Sequence, residues 1–318
     1  MESHSVIVLT GPTASGKSGL AVELARQMRG VIINADALQV YDGLPILTAQ
    51  PDAQVQADVP HRLYSVLPMT QRCSAGVWRA MAVEAIGQVL AQGQRPILVG
   101  GTGLYLKALM VGIADIPPIS DAVRQQARDR LQQMGLEAFR DDLARHDPAA
   151  SRAHDAQRLV RRYEVWTATG QSLSDWQSRP VVVTEDWRYH SLILMPPREP
   201  LYQRINERFQ DMIQAGALNE AARVESYDPD LPGMKALGLA PLLAFRRGET
   251  SLERATEMAQ QASRHYAKRQ ITWLRHQVIG HMDSADRPDL LVLESLDQAA
   301  SRAQEWLAGI PDRAMGDC

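Results

Sequence analysis

Residues 11–18, Gly11-Pro12-Thr13-Ala14-Ser15-Gly16-Lys17-Ser18, fit the pattern G-x-x-x-x-G-K-[ST], whose residue types and spacing prescribe one chemistry. Its glycines let consecutive backbone N–H groups converge on phosphate oxygens, Lys17 neutralises their charge, and the Ser18 hydroxyl meets a magnesium ion. The pattern leaves open what the phosphates are attached to, because pyrophosphate on any carrier satisfies the same donors. A kinase or nucleotide-hydrolysing site adds an acid at the end of a second apolar strand to hold the magnesium. Here the strand "PILVGG" closes on Gly100, Gly101 and Thr102 instead. The strand-end acid that remains is Asp36, after "VIIN". On position alone, a turn or helix-capping role for Asp36 and a role as magnesium ligand or general base weigh equally. Thr13 and Thr102 are polar groups at strand ends suited to holding substrate, although Thr102 taken alone reads as a turn residue.

The elements that must position these residues follow from hydrophobic spacing. "SVIVLT" reads as a buried strand and "SGLAVELARQM" as the helix after the phosphate loop; "GVIINAD" and "RPILVGGTG" are further strands, the second preceded by the helical "WRAMAVEAIGQVLAQG". Strands alternating with helices predict a parallel sheet covered by helices on both faces, an α/β fold with a P-loop NTPase-like core. From about Asp115 the pattern changes: "IPPIS" is a break, followed by arginine-rich helical stretches around 121–148 and 156–170. "RYHSLILM" returns to a strand. The expected organisation is a catalytic core of residues 1–114 and 186–310, a helical insertion domain at 115–185, and a flexible tail at 311–318.

Composition limits the partners. The 318 residues are 45% apolar and 22% charged, with a net charge of -3, so a nucleic acid would have to be met by a local basic surface. Cys73 and Cys318 are too few for a disulfide framework or a four-ligand zinc site, which fits a reducing compartment. The N-terminus lacks a basic signal region, and no stretch reaches the roughly 18 consecutive apolar residues of a membrane span. A cytoplasmic monomer without membrane partners is expected.

Several stretches taken together and in order carry a family resemblance: "GPTASGKS", "INADALQVYDGLPILTAQP", "PHRL", "ILVGGTGLYLKAL", "DAQRLVRRYEVWTATG", "LYQRINERF" and "AKRQITWLR". From about Val6 to about His276 the chain resembles the tRNA dimethylallyltransferase (tRNA isopentenyltransferase) family, in its bacterial type. The resemblance implies transfer of a dimethylallyl group from dimethylallyl diphosphate to N6 of the adenosine immediately 3′ of the anticodon of tRNA, with magnesium as cofactor and pyrophosphate as leaving group. It implies Asp36 as general base, Lys17, Thr13 and Arg208 at the diphosphate, and Asp36, Ala37, Leu38, Gln39 and Thr102 at a base flipped from its stack. It further carries over the tRNA contacts Gln157, Arg158, Leu159, Val160 and Arg161, with Arg124 as a further candidate, so the insertion becomes a clamp on the anticodon stem-loop. Arg264, Lys268 and Arg275 share one helix face by spacing and divide evenly between solvated surface and backbone contact. The chain departs from the family pattern at Ala37, where relatives carry serine, at Gln50, where they carry lysine, and at Leu239 and Ala240. Competing readings are a P-loop small-molecule kinase or NTPase, prenylation of free adenine nucleotides, and a non-catalytic RNA-binding protein.

Overall fold

The computed structural model describes residues 4–181, 183, 185–279, 289–295 and 299–309; the expected tail at 311–318 lies outside them. The chain forms two compact units, Met1–Met110 with Glu185–Cys318, and Val111–Thr184. The insertion thus begins four residues earlier than the sequence break suggests, because Gly112 packs directly on Val181. It ends one residue earlier, because Glu185 belongs to the first unit through its 2.6 Å pair with Arg79.

The first unit is built on strands β1 (His4–Thr10), β2 (Gly30–Asn34), β3 (His61–Arg62), β4 (Arg95–Gly100), β5 (Trp187–Leu194) and β6 (Leu290–Leu293). They form a six-stranded sheet of order β3-β2-β4-β1-β5-β6 in which every pairing is parallel. Residues Val6–Thr10 and Gly30–Asn34 are buried on both faces, which is why they read as continuous apolar runs rather than alternating ones. The period-two pleat then splits them. Ile7, Leu9, Ile32, Ile97 and Val99 face helix α1 (Lys17–Met28) through its Leu20, Ala21, Leu24 and Ala25. Val6, Val8, Val31, Ile33 and Leu98 belong to the opposite core with Trp78, Ala82, Ile86 and Val89 of helix α3 (Ala75–Ala91). Each fully buried aliphatic side chain contributes about 1.5–3 kcal/mol of transfer free energy. Between these helices come α2 (Ala53–Asp58) and, after β4, α4 (Gly103–Met110). Because β2, β4 and β1 are adjacent and parallel, their carboxyl ends open on one edge of the sheet, where α/β folds bind ligands. That edge carries Asp36, Thr102 and the phosphate loop.

The insertion unit is helical: α5 (Asp121–Ala144), α6 (Ala156–Thr169) and α7 (Leu173–Ser178). The long helical pattern of α5 is broken at Gly135, whose φ of 74° and ψ of 166° no helix accommodates. Its core gathers Ala127, Phe139, Leu143, Ala150, Leu159 and Tyr163. A fully buried carboxylate, Asp147, ties three segments together: Arg162 of α6 donates to Oδ2 and Ser174 of α7 donates to Oδ1 at 2.8 Å. Replacing Asp147 with alanine leaves the half-buried Arg162 guanidinium without its partner and is expected to destabilise this unit by about 3 kcal/mol. Hydrogen exchange across α5 to α7 measures it; protection unchanged from the unsubstituted protein would contradict the assignment.

The first unit continues with helices α8 (Arg198–Gln214), α9 (Ala217–Val224), α10 (Leu239–Arg246), α11 (Leu252–Trp273) and α12 (Ala299–Ala308). Ser251 caps α11 by accepting from Arg254 N at 3.1 Å. Trp273 belongs to the partly buried residues packed on the main core. Among the described residues, no helix is long and apolar enough to cross a membrane.

Candidate active site

The phosphate loop leaves β1 at Thr10 and turns sharply, with Ser15 N donating to Pro12 O at 3.2 Å. Ala14 sits in the left-handed region at φ 61°, and Gly16 caps α1 at φ 95°. The first-turn N–H groups of α1 have no intrahelical acceptors and carry the positive end of the helix dipole, so this corner is an anion site by construction. The Ser18 hydroxyl is exposed at the start of that helix, and the Ser15 hydroxyl is buried with no hydrogen-bond partner among the described residues.

Three side chains from α8 and α11 hold the loop from behind. Gln270, buried on α11, accepts from Thr13 N at 2.8 Å and donates to Gly101 O at 3.0 Å, so one amide bridges the loops after β1 and β4. Arg204 Nε donates to Ala14 O at 3.1 Å and holds the left-handed peptide, while its Nη2 is buried without a partner among the described residues. Arg208 Nη2 donates to Thr13 Oγ1 at 2.7 Å, which places its guanidinium at the mouth of the loop. Gln270 and Arg204 escape a motif reading. The signal was nevertheless available, since Gln270 is the one large residue in the buried stripe it shares with Ala255, Ala259, Ser263 and Ala267.

Charge in this corner is coupled. Lys17 Nζ donates to Pro12 O at 3.3 Å. Burial pushes its ammonium down to about 8; the Asp36 carboxylate works against that shift, and the Arg208 guanidinium adds to it. Burial likewise lowers Arg208, again opposed by Asp36. The Lys17 cation is therefore half titrated near pH 8 and is lost progressively as pH rises through that point. Affinity for pyrophosphate is expected to be flat below that point and to fall by up to about tenfold per pH unit above it. Calorimetric titration of pyrophosphate between about pH 7 and 9 checks this; an affinity independent of pH would exclude Lys17 from the contact.

Asp36 stands across the sheet edge from the loop. Its backbone N–H donates to Asn34 Oδ1 at 2.8 Å, and its Oδ1 accepts from Leu38 N at 2.9 Å, a short turn that fixes the carboxylate while leaving it partly accessible. Thr102 completes the bracket by accepting from Ala37 N at 3.0 Å. A side chain at Gly100 is sterically excluded, because a Cβ there would stand 2.2 Å from the Ala35 carbonyl carbon; at Gly101 it would stand 2.2 Å from Gln270 Nε2. The strand end that carries a magnesium-binding acid in nucleotide-hydrolysing relatives of the fold is thus closed to any side chain here.

Thr13, Asp36 and Arg208 line one end of a cavity of about 50 Å³, and Leu38, Leu47, Ile205, Phe209, Met212 and Leu237 supply its apolar walls. Tyr266, a residue the sequence reading passed over, also lines it, and burial holds its phenol protonated as a donor. Gln39 spends its amide on Thr48 O and Ala49 O at 2.8 and 2.9 Å, so it shapes the loop rather than presenting a free donor. Gln50 is knitted into the same loop, donating to Tyr41 O and accepting from the Ser65 hydroxyl. Leu239 is fully buried at the start of α10, and Arg264 donates to Asn206 Oδ1 at 2.6 Å, while Lys268 and Arg275 are exposed.

In the insertion unit the expected contact segment divides. Gln157 and Arg158 are exposed in the first turn of α6, where Asp155 caps the helix through Arg158 N at 2.9 Å. Leu159 is fully buried in the core of the unit, where its side chain holds the helix, and Val160 packs on the same cluster. Arg161 and Arg124 lie on the buried carboxylate of Glu164, at 3.3 and 3.7 Å. Glu164 thereby fixes both guanidiniums beside the exposed first turn.

Known proteins match this architecture at every level. The family model described as IPP transferase matches residues 39–277. A tRNA dimethylallyltransferase of Paramagnetospirillum magneticum is 49% identical over 290 residues, covering 90% of this chain and 92% of its own. One from Rhodospirillum centenum is 47% identical, with 87% and 90% covered. The crystal structure of a tRNA isopentenylpyrophosphate transferase from Bacillus halodurans superposes with a TM-score of 0.67 at 28% identity, over 97% of this chain and 96% of that one. That of a eukaryotic dimethylallyltransferase acting on tRNA gives a TM-score of 0.76 at 26% identity, over 98% and 81%. With three quarters of its length inside the family model and close to half of its residues shared with these relatives, the chain belongs to the IPP transferase family of tRNA dimethylallyltransferases.

Proposed function

We propose that the protein transfers a dimethylallyl group from dimethylallyl diphosphate to N6 of the adenosine 3′ of the anticodon in tRNA. The observation that carries this reading is the meeting, in one cavity, of a phosphate loop, a lone carboxylate and an apolar wall. A phosphotransfer site adds a second strand-end acid, and the closed Gly100 position leaves no room for one.

In this mechanism the allylic C1–O bond breaks with its electron pair leaving on pyrophosphate, the N6–C1 bond forms, and the N6 proton passes to the Asp36 carboxylate. The exocyclic amine is a weak nucleophile because its lone pair is delocalised into the ring, so proton removal during attack lowers the barrier. Arg208, Lys17 and the α1 N–H groups are fixed where charge develops on the leaving oxygens, and they stabilise it without reorganising. The exposed Ser18 hydroxyl beside these donors suits magnesium, which is commonly held by one or two protein oxygens together with substrate phosphates. Bound there, the ion would add positive charge to the departing pyrophosphate. Gln157 and Arg158, with Arg161 and Arg124 held on Glu164, form the basic surface that would meet the anticodon stem-loop.

The test is mass spectrometry of unmodified tRNA incubated with the protein, magnesium and dimethylallyl diphosphate. An isopentenyl mass on one adenosine is expected. Its absence, alongside phosphate release from ATP, would replace this reading with a kinase or NTPase.

A further inference from the structure

Resting on that reading, the cavity beside Asp36 also limits the length of the hydrocarbon it accepts. Its α8 wall is one helical stripe, Ile205, Arg208, Phe209 and Met212. Arg208 marks the phosphate end through its bond to Thr13. Met212 lies one turn further on, about 6 Å along the helix axis, which is roughly the reach of a five-carbon chain. It is buried there.

Leu47 and Thr48 also line the cavity, from a loop that is tied down on two sides. Glu220 of α9, 0% exposed, sends both carboxylate oxygens to that loop, Oε1 accepting from Ile46 N at 2.8 Å and Oε2 from Leu47 N at 2.9 Å. On the other side, the Gln39 amide holds Thr48 O and Ala49 O, and the Thr48 hydroxyl donates to Leu44 O at 2.7 Å. A short loop that sequence propensity would leave mobile is thus fixed by three side chains, one of them 173 residues away in the chain.

Room inside is scarce. The cavity measures only about 50 Å³, against the roughly 150 Å³ of an apolar cavity that takes a six-carbon ring, so it favours a short hydrocarbon over a long one. We propose that Met212 is the length stop for the allylic donor, closing the cavity against a Leu47–Thr48 wall that Glu220 holds in place as a positioning residue.

The experiment supplies the full-length protein with unmodified tRNA, magnesium and equal dimethylallyl and geranyl diphosphates, and reads the ratio of the two adenosine products by mass. The unsubstituted protein is expected to give the five-carbon product almost alone. Met212→Ala should raise the geranyl-to-dimethylallyl ratio at least about tenfold, the scale of discrimination by a few methylenes in an apolar pocket. Leu47→Ala is the second variant, approaching the same stop from the tied-down loop, and should move the ratio in the same direction. Glu220→Gln, which keeps only one good acceptor for two N–H groups, should raise KM for dimethylallyl diphosphate more than it lowers kcat and should also relax the ratio. An unchanged ratio in whichever of Met212→Ala and Leu47→Ala folds overturns the length stop while leaving the reaction standing. No product from the unsubstituted protein with either donor overturns the reaction and the length stop together.

Discussion

Replacing Asp36 with alanine is expected to lower turnover by roughly 100- to 10,000-fold, the range associated with loss of a positioned proton acceptor. Pyrophosphate affinity near neutral pH should stay within a factor of about three, because the carboxylate is absent from the phosphate-binding donors and its loss removes a like charge from the pocket. The structure adds a second readout. Asp36 holds the Lys17 ammonium up against the burial that lowers it to about 8. Removing the carboxylate should therefore move the pH at which pyrophosphate binding weakens below about 8. Asp36→Asn separates the two roles of the side chain: it can preserve the turn that Asp36 makes with Leu38 N while removing the base. The aspartate would be structural rather than catalytic if the asparagine variant turned over at close to the unsubstituted rate.

The β-strands and the phosphate loop were legible because each is local. A buried parallel strand is a run of apolar residues, and the loop is eight consecutive positions with fixed roles. Asp36 was visible as a strand-end acid, and the family resemblance supplied its partner Arg208 across 172 residues. What could not be read is what holds the corner rigid. Gln270, Arg204 and Glu220 are polar residues on amphipathic helices, distant in sequence from the loops they grip. Their partners are backbone atoms, which carry no sequence signature. The burial of Leu159 was hidden for a related reason: the expected contact segment of five consecutive residues lies on a helix, and a helix turns part of any such run inward. The boundaries of the insertion moved by a few residues because Val181 and Glu185 choose their unit by packing and pairing, not by composition.

Arg208→Ala is expected to cost roughly 100- to 1,000-fold in kcat, the usual cost of losing one preorganised donor to a developing oxyanion. Because charge on the leaving oxygens is largest in the transition state, kcat and kcat/KM should fall by similar factors. Lysine at this position should recover only a small part. It supplies charge, but it lacks the planar fork with which one guanidinium can donate to Thr13 Oγ1 and still address a phosphate. The opposing prediction for Lys17 distinguishes this role from a merely structural one. Arg208 lowers the Lys17 ammonium that Asp36 raises. Its removal should therefore shift the loss of pyrophosphate binding to above about pH 8, in the direction opposite to the Asp36 variant. Two substitutions in the lining of one cavity would then displace the same titration in opposite senses. Displacement in the same sense, or none, would show that the two side chains do not share the phosphate site with Lys17.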